Sequence, residues 1–144
     1  MPSWRASASS SSVAGVPSLG AIGIVSKDLP ASIRFYGLLG VPFPDPDGDH
    51  VEATLPSGLR LMLDSLELMK KLDPAWTEPK GQRMGLAFEC ASPAEVDALH
   101  TTVTAAGHAS KTAPWDAFWG QRYAQLVDPD GNVVDLFAGL APGS

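Results

Sequence analysis

The chain carries a weak internal repeat, and that repeat restricts the fold more than any other feature of the sequence. Two helix starts, Asp28-Leu29-Pro30 and Ser92-Pro93-Ala94-Glu95, each follow a short apolar run, Leu19 to Val25 and Met84 to Cys90. Asp28 and Ser92 have the side chains of N-caps, and the prolines fall in the first turn, where a missing N–H is harmless. Each helix is followed by strands that fold back at a turn, Pro56-Ser57-Gly58 in the first half and Asp128-Pro129-Asp130-Gly131-Asn132 in the second. With the caps in register, Ala21 stands opposite Gly85, each seven residues before its cap. With the turns in register, Met62 stands opposite Asp135, each four residues after the turn glycine. Both halves read β-α-β-β-β. The expectation is an α+β fold of two βαβββ modules whose sheets form an open barrel-like surface with the helices outside. Ala21, Met62, Gly85 and Asp135 would line the cavity between them.

Local signals place the elements. Leu29, Ile33, Tyr36 and Leu39 form one apolar helix face that Gly40 stops, and Val96, Leu99 and Val103 form the second, ended by Gly107. Strands are expected over Ala109 to Thr112, Gln121 to Val127 and Asn132 to Phe137. The modules run over about 18–64 and 83–140 of a single domain, 18–144, joined by a linker over 65–82 that holds a helical turn, SLELMKKL. Residues 1–17 are rich in Ser and Ala and lack a continuous apolar run, so they read as a disordered tail and not a secretory signal.

A net charge of −6 and a sequence pI near 4.8 argue against nucleic acid or an anionic membrane surface as partner, and suit a neutral or cationic ligand. Cys90 is the only cysteine, which excludes a disulfide framework and a Cys-rich metal site and points to a reducing, cytoplasmic setting. No apolar run of about 20 residues, enough to span a membrane, occurs.

The candidate site centres on the last two strands. Trp115, Phe118 and Trp119 crowd three large rings beside Gly120; they either wall a flat ligand or fill a small core or dimer contact. Side chains alternate along strands, so Gln121, Tyr123 and Gln125 share the face of Asp135. In the first half, Arg60 shares Met62's face and either answers an acidic ligand group or pairs with Asp64. His50 begins a strand, where it either contacts a ligand or is a plain exposed strand histidine. His100 and His108 read as surface or boundary residues. Trp76 either closes the mouth of the cavity or anchors the linker.

These landmarks, Asp28-Leu29 with Phe35-Tyr36 and Leu39-Gly40, the strand Gly85 to Glu89, and Asp128 to Asn132 with Asp135, resemble the vicinal oxygen chelate superfamily. That superfamily includes glyoxalase I, extradiol dioxygenases and bleomycin resistance proteins. The resemblance covers about Leu19 to Leu140 and implies paired βαβββ modules, usually in a homodimer. In metal-dependent members, His or Glu/Gln side chains at the four cavity positions hold a divalent ion. Here Ala21, Met62 and Gly85 lack donors and Asp135 alone keeps one, so no metal or other cofactor and no catalytic residue is expected. The stretches Asp64 to Arg83 and Pro114 to Ala138 are similar to mitomycin-binding, drug-sequestering resistance proteins.

The resulting expectation is metal-independent binding and sequestration of a small aromatic or cationic antibiotic by a cytoplasmic homodimer. The ligand contacts would be Trp115, Phe118, Trp119, Gln121, Tyr123, Gln125, Asp135, Met62, Arg60 and His50. The alternative is a lyase, isomerase or dioxygenase using Asp135 or Glu89 as acid or base, or a metal held by Asp135 with His50 or Asp64.

Overall fold

The computed structural model describes residues 15–141. The tail expected over 1–17 therefore lies, for residues 1–14, outside the described residues. In chain order the elements are β1 (Ala21–Ser26), α1 (Leu29–Leu38), β2 (His50–Thr54), β3 (Arg60–Ser65), α2 (Leu66–Leu72), β4 (Leu86–Glu89), α3 (Pro93–Ala105), β5 (Ala109–Ala117), β6 (Gln121–Val127) and β7 (Val133–Gly139). The strands form two mixed sheets, one from each half of the sequence as expected, ordered β1-β3-β2 and β4-β7-β6-β5. Among the described residues no helix is long and apolar enough to cross a membrane.

Two compact units result. The first holds the described residues up to Ile33 and those from Gly40 to Trp76; the second holds Arg34–Leu39 and the described residues from Thr77. The last turn of α1 thus belongs to the second unit, although its sequence lies in the first half.

In the first unit β1 runs parallel to β3, and β2 pairs antiparallel with β3 across the Pro56-Ser57-Gly58 turn, where Gly58 takes a φ of 95°. Val51, Ala53, Leu61 and Leu63 alternate into the core. Asp28 caps α1 by accepting the N–H of Ala31 at 3.2 Å. Behind the cap, the buried hydroxyls of Ser26 and Ser32 bond to each other at 2.7 Å, which satisfies both without water. The unit has three strands, not the four of a βαβββ module. A helix, α2, stands where the fourth would follow. Ser65 starts it by accepting the N–H of Leu68, with Glu67 in the first turn and Lys70 and Lys71 in the last, all favourable to the helix dipole.

The second unit has all four strands and the helix. Ala124, Leu126, Val134, Leu136 and Ala138 form the buried face of β6 and β7, and Val96 and Val103 of α3 are buried with them. Half of the capping box forms as expected, with Glu95 N–H donating to Ser92 Oγ, while Glu95 Oε2 reaches one residue farther back and accepts the N–H of Ala91. Phe35 and Tyr36 are fully buried, and Phe35 meets His108 edge to face at 5.1 Å. That ring contact gives His108 a packing role that its position after Gly107 does not reveal. β5 is longer than expected and includes Pro114 and Trp115. Proline is tolerated there because β5 is an edge strand with register shifts on either side of Thr112.

Strand pairing gives these positions their direct neighbours. Met62 lies beside Gly23, two residues on from Ala21, and Asp135 beside Ala87, two residues on from Gly85.

Candidate functional site

The face of the second sheet opposite its buried Ala124, Leu126, Val134, Leu136 and Ala138 collects residues 121, 123 and 125 of β6, Asp135 of β7, and Thr112 and Trp115 of β5, because their register pairs are in line: Trp115 with Tyr123, Thr112 with Gln125, and Gln125 with Asp135. The sequence placed Gln121, Tyr123, Gln125 and Asp135 on one face, and the pairing does so.

Two groups occupy this face. The first is a ring shelf with Trp119 at its centre. Trp119 meets Trp115 at 5.5 Å, Phe118 at 4.9 Å and Tyr123 at 5.2 Å, all edge to face, the arrangement that ring quadrupoles favour. Its indole N–H donates to Gln121 Oε1 at 2.8 Å. Trp115, Trp119 and Phe118 remain 39%, 48% and 91% exposed, so the rings are open to solvent.

The second is a directed hydrogen-bond network ending on Asp135. Thr112 Oγ1 donates to Gln125 Oε1 at 2.8 Å, which fixes the amide so that Nε2 donates to Tyr123 Oη at 3.2 Å and Asp135 Oδ1 at 3.0 Å. The Tyr123 pKa is pushed up to about 12, by burial first and by the nearby Asp135 carboxylate second, so its hydroxyl keeps its proton while accepting from Gln125.

Beside this network opens a cleft of about 530 Å³, lined by Gln82, Arg83, Met84, Gly85, Lys111, Gln125, Gly131, Val133 and Asp135. Gln82, which the sequence offered only as part of a polar linker, builds its wall. Its amide accepts the N–H of Val133 at 2.7 Å and donates to the carbonyl of Val133 at 3.0 Å, filling the place of a neighbouring strand residue. The ring shelf does not line this cleft but lies farther along the same face. Tyr123 and Gln125 connect the two.

His50, Arg60 and Met62 lie together in the first unit, on the face shared by β2 and β3. His50 Nδ1 bonds Asp64 at 2.5 Å and Nε2 bonds Glu52 at 3.0 Å, so both ring nitrogens are occupied. These bonds, that to Asp64 first, raise the His50 pKa above its ordinary value. Arg60 pairs with Glu52 at 3.0 Å, not with Asp64. The reason is register: Glu52 and Arg60 flank each other on antiparallel strands, whereas Asp64 lies directly opposite His50. His100 is half-buried and bonds Ser110 Oγ at 2.7 Å.

A sequence profile of the Glyoxalase/Bleomycin resistance protein/Dioxygenase superfamily matches residues 18–136, most of the chain. The chain belongs to that superfamily. Among solved structures, a glyoxalase/bleomycin resistance protein/dioxygenase from Nocardioides is similar at 27% identity and a TM-score of 0.71, covering 97% of this chain and 95% of that one. A family enzyme from Burkholderia phytofirmans PsJN shares the fold at 21% identity and a TM-score of 0.77, over 86% and 100% of the two chains. Lactoylglutathione lyase from Agrobacterium tumefaciens does so at 19% and 0.63, over 90% and 99%. No curated protein sequence matches the chain.

Metal-dependent members of the superfamily need several donors converging on one ion, and the residues present do not fit that need. Ala87 and Gly85 bring none to the strand beside Asp135, and Gly23 brings none beside Met62. The Asp135 carboxylate already accepts from Gln125 Nε2. Among the described residues no three His, Cys, Asp or Glu side chains are gathered to hold an ion.

Proposed function

We propose that this superfamily member binds and sequesters a planar aromatic small molecule, of the antibiotic class, on the Trp119- and Asp135-bearing face of its second sheet without metal chemistry. The observation that carries the reading is the Trp119-centred shelf, with three rings edge-on to one indole and still exposed, directly continuous with the Gln125–Asp135 network. Exposed rings of this size are costly to leave in water, and a flat ligand covering them recovers that apolar area. Tyr123 and Gln125 give such a ligand fixed polar neighbours, which set its orientation.

The resemblance to drug-sequestering proteins supports binding over turnover. The test is a thermal-shift and calorimetric screen of metal-stripped protein against polycyclic aromatic antibiotics, with recovery of the compound afterwards. The expected result is stabilisation by an unchanged compound, weakened about two- to tenfold by Trp119→Ala, the value of one or two aromatic contacts. Binding that requires an added divalent ion, or conversion of the compound, would overturn the reading.

A further inference from the structure

The cleft of the second unit has a charge pattern opposite to that of the chain. The net charge is −6, yet the charged residues lining the cleft are two cations, Arg83 and Lys111, and one carboxylate, Asp135. Asp135 is engaged in its own network, accepting from Gln125 Nε2 at 3.0 Å. Arg83 and Lys111 are exposed and form no ion pair with a described residue.

Two independent devices put those cations there. Lys111 is the extra residue of a β-bulge: Ser110 pairs with Leu126 and Thr112 with Gln125, so Lys111 has no partner on β6. Without the bulge, Lys111 and Thr112 would alternate to opposite faces. The bulge brings Lys111 to the cleft beside Gln125. Arg83 is placed by its neighbour. The Gln82 amide is clasped to both backbone groups of Val133 and also donates to the carbonyl of Met84 at 2.5 Å, which pins the chain on either side of Arg83.

We infer that this cleft seats the anionic group of the ligand, a carboxylate or a sulfonate, between Arg83 and Lys111. The inference rests on the aromatic-ligand reading and narrows it to aromatic acids, replacing the cationic preference that composition suggests. A guanidinium can take two oxygens of such a group side by side, and an ammonium supplies a second, less directional charge. Gln125 at the cleft and Tyr123 at the shelf are alternate residues of β6, about 7 Å apart by strand rise. A bicyclic or tricyclic aromatic acid bridges that span, with its rings over Trp119 and its acid in the cleft.

The test uses three matched probes, anthraquinone-2-carboxylate, its neutral carboxamide and its cationic aminomethyl analogue, titrated by tryptophan quenching at low and high salt. The carboxylate is expected to bind about fivefold more tightly than the carboxamide, the combined value of two partly exposed ion pairs, and the aminomethyl compound more weakly than either. In the Arg83→Gln/Lys111→Gln double variant, whose exposed positions leave the fold intact by circular dichroism, the carboxylate advantage is expected to vanish, as it is at high salt. A carboxylate that binds no better than the carboxamide, including no binding by either, overturns the anion seat, as does an advantage that survives in the double variant. Carboxamide binding and its sensitivity to Trp119→Ala report separately on the ring shelf. Equal binding of carboxamide and carboxylate leaves the shelf standing without the seat, and carboxylate binding indifferent to Trp119→Ala leaves the seat without the shelf.

Discussion

Tyr36 donates its hydroxyl to Asp128 Oδ2 at 2.7 Å across 92 residues of sequence, and both side chains are buried. Asp128 also accepts from the N–H groups of Asp130 and Asn132 and from the Asn132 side chain, so its four acceptor positions are filled. One carboxylate therefore closes the β6–β7 turn and fastens the end of α1. Tyr36→Phe is expected to cost about 1 to 2 kcal/mol, the value of a hydrogen bond to a charged acceptor that keeps its other donors. A lower denaturant midpoint with unchanged slope is the check.

The tyrosines make a second prediction, because Tyr36 and Tyr123 are the only two. Burial is the main cause that raises both, with Asp128 adding to it for Tyr36 and Asp135 for Tyr123, which reaches about 12. The folded protein should show almost no tyrosinate absorbance at about pH 10, where free tyrosine is half ionised. A folded-state pKa above the unfolded value gives stability that is whole below about pH 10 and is lost as pH rises beyond it. Native protein that titrates near pH 10 would contradict the burial and pairing of both hydroxyls.

His50 adds a small pH dependence at the acid side. Its pKa is raised by the Asp64 and Glu52 hydrogen bonds, so its contribution is fully present below its ordinary value of 6.5 and is lost as pH rises through the raised value. The side chain is 42% exposed, so solvent screening holds the effect under about 1 kcal/mol. Thermal midpoints measured across this range should decline slightly with pH in the wild type and flatten in His50→Gln.

Gln82→Ala should unfasten the linker from β7. The N–H of Val133 loses its acceptor, and its hydrogen exchange should accelerate while that of Leu126 and Leu136 in the core does not. The global loss is expected to be about 1 kcal/mol, because water replaces the amide at an exposed position. Exchange at Val133 unchanged by the substitution would show that the amide is not what holds this edge.

Patterns with a short period were legible in the sequence. The N-caps Asp28 and Ser92, the turns at Gly58 and Gly131, and the shared face of Gln121, Tyr123, Gln125 and Asp135 follow from rules that act within a few residues. Pairing between distant strands was less so. The repeat matched Ala21 with Gly85 and Met62 with Asp135 but named no strand neighbours, which hydrogen bonding sets as Gly23 beside Met62 and Ala87 beside Asp135. A count along the chain does not fix how far one strand slides against another. The Asp64 alternative for Arg60 failed for a related reason: its carboxylate partner, Glu52, is decided by the strand across from it, not by spacing along its own strand.

The sequence by itself determined the helix ends, the alternation of the second sheet and the aromatic density at Trp115 to Trp119, because capping, turn and strand periodicity are local and each residue type has few alternatives. Only tertiary structure decided that Trp119 is the centre of the rings, that Tyr36 completes Asp128, and that Gln82 and a bulge at Lys111 build a cleft beside Asp135. Those contacts depend on strand register and on side chains meeting across long stretches of chain. They are fixed by the summed burial and hydrogen bonding of the folded unit, which no short window of sequence contains.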